Sequence, residues 1–229
     1  METIKTGLYD RPRTGYDTLS QRAFMFAIST FTAMNIAVAA LGAAVSYNWA
    51  FSNPWWLLLF MVACTIVSIL GAILAHSNED PMTSIVGGFI CAGVMGMMVG
   101  PFISIYEIGS VLQALVVTGG VVILTGFIGA IIPKDLSMWG APLMAGLLGL
   151  IVLYLVAPLM AWLGLDYKMT VTVLDIAGIV LFSAIMVYDL NMAARLDRTL
   201  DNAIDVAVNV FLNFANIFIR VLSLMGKKK

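Results

Sequence analysis

The sequence predicts an all-α integral membrane protein of seven transmembrane helices, six of them surrounding a central, polar-seamed seventh. Three observations predict it. Seven apolar runs of about 20–25 residues, the length a helix needs to cross hydrocarbon, follow one another with short polar links. Only 11% of the 229 residues are charged against 61% hydrophobic, and the mean hydropathy is +0.99, whereas a soluble domain carries about 25% charge. The last run, Asp201 to Met225, places Asp205, Asn209, Asn213, Asn216 and Arg220 at steps of four, four, three and four, which on a helix is one face. Unpaired amides and charges are costly in hydrocarbon, so this seam must face protein or water, and the other segments must pack around it. The remaining faces carry Phe211, Phe214 and Phe218, which are expected to be far more lipid-accessible than the seam.

The chain divides into a solvated arm (1–22), a seven-helix membrane domain (23–226) and a basic tail (227–229). The arm mixes Lys5, Arg11, Arg13 and Arg22 with Glu2, Asp10 and Asp17. The apolar run that follows, Ala23 to Tyr47, is too long for a signal-peptide core of about 7–15 residues, so it reads as an uncleaved first span. The second run, Pro54 to Ala75, opens on the interfacial anchors Trp55 and Trp56 and is broken by HSNEDP, His76 to Pro81. The third, Ile85 to Tyr106, repeats small residues at Gly88, Ala92, Gly96 and Gly100, a stripe that lets another helix approach closely. Pro101 should kink or end that helix. A tight turn at Glu107 and Gly109 leads into the fourth run, Ser110 to Ile132, closed by Pro133, Lys134 and Asp135; Glu107 and Asp135 read as turn and capping residues. The fifth, Trp139 to Leu163, contains Pro158; the sixth, Met169 to about Asn191, carries Asp175 and Asp189. Seven such helices leave no room for a second domain.

With the N-terminus inside, the inner segments hold Lys5, Arg11, Arg13, Arg22, Lys134, Arg195 and Arg198, and the outer loops only Lys168. The lysine tail, Lys227 to Lys229, disagrees with that rule, because seven full crossings put it outside. Either the rule fails at this end or the seventh segment is re-entrant.

Chemistry by other routes is poorly supplied. Cys64 and Cys91 lie inside apolar runs and read as small buried hydrophobes. His76 is the only histidine, which argues against a histidine metal site or catalytic triad. No nucleophile–base pair can be assembled, so an enzyme is not expected, nor a cofactor or metal site. A net charge of −1 gives no basis for nucleic-acid binding. The 15 methionines read as lipid-facing or core filling.

Four segments together, GVMGMMVGP (Gly93 to Pro101), PKDLSMWG (Pro133 to Gly140), LFSAIMVYD (Leu181 to Asp189) and VFLNFANIFIRVLSLMG (Val210 to Gly226), resemble the Bax inhibitor-1 family, also called the transmembrane Bax inhibitor motif family, in its short bacterial form. The resemblance covers nearly the whole chain. It implies six helices wrapped round a central seventh and an association with pH-sensitive calcium leak across a membrane. It also implies a pair of aspartates, one late in helix six and one in helix seven. The first falls on Asp189; the second falls on Asn213, so the paired carboxylates are not present as such. The loop after helix two, basic in relatives, offers only His76.

Asp189 is therefore the candidate gate of an ion path, with a helix-end carboxylate in interfacial water as the plainer reading. If helix six runs to Leu196 and helix seven begins near Asn202, Asp189 lies about 10 Å in from the turn and can meet Asn209 or Asn213. Asp175, 14 residues earlier, is either a second mouth of the path or, as the stronger reading, a solvated acid in the first turn. Asn209 and Asn216 are interhelical glue or ligands. Arg220 either neutralises Asp175 or snorkels to the interface. Two functions follow: a cation leak channel or exchanger with calcium as the transported ion, or a non-conducting regulator that binds a membrane protease or a stress or cell-death factor. The expected setting is the bacterial plasma (inner) membrane, multi-pass, with a cytoplasmic N-terminus, as a monomer or weak oligomer in the lipid bilayer.

Overall fold

A computed structural model describes residues 18–49, 53–77, 80–164 and 166–229. The charged arm up to residue 17 and the Asn78–Glu79 part of the second link lie outside the described residues. Seven helices follow in order: α1 (Gln21–Ser46), α2 (Pro54–Ser77), α3 (Pro81–Ser104), α4 (Ile108–Ile131), α5 (Gly140–Trp162), α6 (Tyr167–Ala193) and α7 (Leu200–Met225), with one 3₁₀ turn at Ser137–Trp139 before α5. All seven are long and apolar enough to cross a membrane. The chain is an all-α, multi-pass membrane protein.

Capping explains where these helices begin. The Ser20 hydroxyl accepts from the Ala23 N–H at 3.2 Å, so α1 starts two residues inside the charged arm. The Asp80 carboxylate accepts from the Thr83 N–H and hydroxyl at 3.2 and 2.9 Å, with Pro81 in the first turn, so α3 starts four residues before its apolar run. Pro101 does not end α3, which continues to Ser104. Proline has no N–H to offer the carbonyl four residues earlier. That carbonyl, Met97 C=O, instead accepts the hydroxyl of Ser46 from α1 at 2.7 Å.

The small-residue stripe of α3 meets two helices rather than one. Gly88 faces Val208 of α7, and Ala92 is fully buried with Phe211 and Ala215 of α7. Gly96 and Gly100 lie against the Ala39 and Ala43 carbonyls of α1. A four-residue step on a helix of 3.6 per turn advances about 40° past a full turn. The stripe therefore swings round α3 from α7 to α1. A second set of small residues, Gly71 and Ala75 on α2 against Cys91 and Gly87 on α3, closes the other side. Both cysteines are free thiols.

α7 is the most buried of the seven. It packs against α1, α2, α3, α4 and α6. Of the six helices expected to surround it, α5 packs on α6 and faces α7 across a cavity. The expectation that Phe211 and Phe218 face lipid is corrected: they are 1% and 6% exposed, as buried as Asp205 and Asn213 of the seam, while Phe214 is partly buried. A helix enclosed by neighbours hides its apolar faces in protein, so hydrophobicity alone does not mark a lipid face. Lipid-soluble reagents should accordingly leave cysteines at 211 and 218 unmodified in folded protein while modifying one at Phe127, which is 64% exposed on α4. Modification of all three alike would count against this enclosure.

α7 also spans the whole height of the bundle, so it is not re-entrant. Its start lies with that of α1, where the Leu19 N–H donates to the Arg198 C=O at 2.7 Å. Its end lies with the α3–α4 turn, where Glu107 N–H donates to Lys227 C=O at 2.9 Å and Lys229 N–H to Ile105 C=O at 3.0 Å. The Lys229 ammonium donates to the Tyr47 hydroxyl at 2.8 Å and the Ser104 carbonyl at 3.0 Å. The tail and residue 18 therefore stand at opposite ends of the bundle.

Candidate functional site

A cavity of about 700 Å³ opens between α5, α6 and α7. α5 lines it from Gly140 to Tyr154, which is about 21 Å along a helix axis. Most of the wall is apolar. The polar groups come chiefly from the α7 seam, because Asn209, Asn213, Asn216 and Arg220 all face it, and from Asp189 on α6.

Asp189 and Asn213 meet directly. The Asn213 amide donates to the Asp189 carboxylate at 2.7 Å. Asn209 lines the cavity nearer the α6–α7 link, and Asn213 is the amide that closes on the carboxylate. The depth estimate from the sequence is corrected at both ends: α6 stops at Ala193 and α7 starts at Leu200, so Asp189 is only about 6 Å from its helix end while Asn213 is about 20 Å into α7. The first turns of α7 are themselves buried, where the Ser84 hydroxyl of α3 donates to Asp201 at 2.7 Å.

Further along, Asn216 holds Arg220. The guanidinium Nη1 donates to the Asn216 backbone carbonyl at 2.7 Å and its side-chain oxygen at 3.2 Å. The guanidinium carbon lies 4.7 Å from the Phe182 ring centroid and 5.5 Å from that of Tyr154, both within cation–π range. Arg220 thus turns into the bundle rather than out to the interface. It reaches Asp175 only through Tyr154, whose hydroxyl donates to the Asp175 carboxylate. The reading of Asp175 as a solvated first-turn acid is corrected: it lies in the third turn of α6 and is 5% exposed. The helix begins at Tyr167, capped by Asp166, two residues before the apolar run. Asp205 is buried in the second turn of α7 and lies outside the cavity wall. Among the described residues, no three His, Cys, Asp or Glu side chains come together to hold a metal ion.

Two parts of this arrangement were not legible in the sequence. Tyr154 sits in an uninterrupted apolar run, with nothing local to mark it. Asn191 organises the mouth. Its amide donates to the Ile132 and Lys134 carbonyls at 2.9 and 3.2 Å, and its oxygen accepts from the Leu136 N–H at 3.1 Å and Arg195 Nε at 3.4 Å. Arg195 also donates to the Pro133 carbonyl at 3.0 Å. The available signal was the four-residue spacing of Asn191 and Arg195. Asn191→Ala should cost about 1–3 kcal/mol by leaving these part-buried groups unpaired, read as a lower melting temperature in detergent. An unchanged melting temperature would show that water replaces the amide.

In the same link, Asp135 accepts from the Ser137 N–H at 2.8 Å. That bond, with the Ser137 hydroxyl and Arg195 as smaller contributors, holds its carboxyl below the ordinary aspartate value. A depressed carboxyl supports the folded turn above its unfolded value and loses that support as pH falls through the folded one.

The fold and the site define a multi-pass helical membrane protein with one carboxylate and a row of amides lining an internal cavity. The family model described as "Inhibitor of apoptosis-promoting Bax1" matches residues 21–229, and the chain belongs to the Bax inhibitor-1 family. It is similar to the inner membrane protein YbhL of Escherichia coli K12, 23% identical over 231 residues, covering 96% of this chain and 95% of that protein. It is also 22% identical, over 188 residues, to a protein of Borreliella burgdorferi described only as uncharacterized, covering 78% of each.

Proposed function

We propose that this protein is a cation leak pathway of the bacterial inner membrane, with calcium as the transported ion and Asp189 as its gating carboxylate. The observation that carries the reading is the Asp189–Asn213 pair inside a cavity that reaches most of the way through the bundle. An intramembrane carboxylate is by default a candidate ion or proton site. Calcium prefers six to eight oxygens. One carboxylate with the Asn209, Asn213 and Asn216 amide oxygens supplies only a few, which suits passage rather than tight holding. The inner-membrane setting is supported by the printed name of the Escherichia coli relative, and a cytoplasmic N-terminus by the distribution of basic residues.

The test is calcium entry into liposomes carrying purified protein and a calcium dye. Entry above that of protein-free liposomes, and its loss in Asp189→Ala, is expected. Entry equal to the protein-free rate would overturn the reading. A second reading has its own supporting observation: a fixed cation, Arg220, stands at the inner end of the cavity, and Asn213 replaces a second carboxylate. Both weaken the attraction of the cavity for cations. The protein is then a non-conducting regulator that binds a membrane protease or a stress or cell-death factor, and a folded protein without flux supports it.

A further inference from the structure

The inner end of the cavity is closed by a cluster for which the carboxylate–amide pair does not account. Tyr154 lines the cavity; Asp175 lies behind it, outside the cavity wall, and accepts the Tyr154 hydroxyl. The second Asp175 oxygen is buried and has no hydrogen-bond partner. On the cavity side of the ring, the buried Nε of Arg220 also has none. It occupies the space that Gly178 leaves on α6, where an added Cβ would fall against the guanidinium. Gly178 is three residues from Asp175, so the cation rests about one helical turn from a carboxylate it does not touch. From the opposite end of the bundle a groove of about 330 Å³ runs between α5 and α6, from Asp166 in to Leu153 and Leu174. Leu153 precedes Tyr154 and Leu174 precedes Asp175. The groove is lined almost wholly by apolar side chains and is open along the outer face, where Leu153, Met169 and Val173 are exposed; its inner end lies one residue along each helix from Tyr154 and Asp175.

We infer that Tyr154 is a second, inner gate: its hydroxyl bond to Asp175 closes the cavity from the far side of the membrane, and turning the ring aside opens that side while Arg220 moves from Asn216 to pair with Asp175. This rests on the reading of the cavity as a pathway. The released Arg220 would satisfy the two buried groups that lack partners, which gives the open arrangement a stabilising contact of its own. Tyr154 acts here as a positioning residue for the path, and Arg220 as the charge that moves.

Side-specific labelling separates the gate from conduction. Leu147 lines the cavity on α5, on the near side of Tyr154. In a Cys64→Ala, Cys91→Ala background, Leu147→Cys in full-length protein in liposomes is exposed to a membrane-impermeant maleimide from either face. The expected result is labelling from the α6–α7 link side only. Adding Tyr154→Phe or Tyr154→Leu, each of which removes the hydroxyl and keeps Asp175 for Arg220, and each checked for an intact melting transition, should raise labelling from the far side at least about tenfold, the loss expected from one hydrogen bond to a charged group. Equal labelling from both faces without either change overturns the gate. So does far-side labelling that stays unchanged, or rises in only one of two folded variants, because both lack the same hydroxyl bond. If one variant does not fold, the other decides. Far-side labelling that rises in the variants while no protein passes calcium leaves the gate standing and overturns the transport reading.

Discussion

Gly96→Leu should strip the bundle of much of its stability, with a melting temperature in detergent lower by about 6–12 °C or more. The reason is local and steric. A Cβ at Gly96 would fall on the Ala39 carbonyl of α1, and backbone cannot swing aside as a side chain can. The same α1 face carries Gly42 against the Gly93 carbonyl and Ala43 against Gly100, so relief at one point presses the next. Interior overpacking costs about 1–3 kcal/mol, more where nothing can move. Helix propensity acts in the opposite direction, since leucine favours a helix over glycine by about 1 kcal/mol. Gly149→Leu on α5 is the control, because a Cβ there meets nothing within 4 Å. It should leave the melting temperature nearly unchanged. Equal behaviour of the two variants would mean that α1 and α3 do not approach as closely as described.

What the sequence made legible were features set by local rules. Apolar run length gave seven spans, and the four-residue repeat gave the small face of α3. The period of α7 put Asn213 on the face that meets Asp189. What it hid depended on neighbours. The burial of Phe211 and Phe218 follows from α1, α3 and α6 closing around α7, which no local pattern encodes. Tyr154 and Asp175 are 21 residues apart on different helices, and their pairing depends on how α5 leans on α6. Helix starts moved by two to four residues because Ser20, Asp80 and Asp166 cap them, and polar capping turns fall outside any hydropathy window.

Asn213→Asp should make calcium flux depend more steeply on pH than it does in the native protein. In the native pair a neutral amide donates to Asp189 at 2.7 Å, so no like charge opposes ionisation of that carboxylate. Two carboxylates at such a distance cannot both ionise readily; they hold one proton between them and titrate as a unit. Gaining or losing that shared proton replaces a hydrogen bond by a repulsion, which is the kind of change that moves helices apart. Asp205 lies outside the cavity wall, two turns earlier on α7. Asp189→Asn removes the remaining titrating group of the pair and should flatten the curve altogether. The measurement is the initial calcium flux in liposomes from pH 5 to 8 for the native protein and both variants, with melting temperatures as the check on folding. The expected order of steepness is Asn213→Asp, then native, then Asp189→Asn. A native curve as steep as that of Asn213→Asp would sink the idea and place the pH-sensing group away from the Asp189–Asn213 pair.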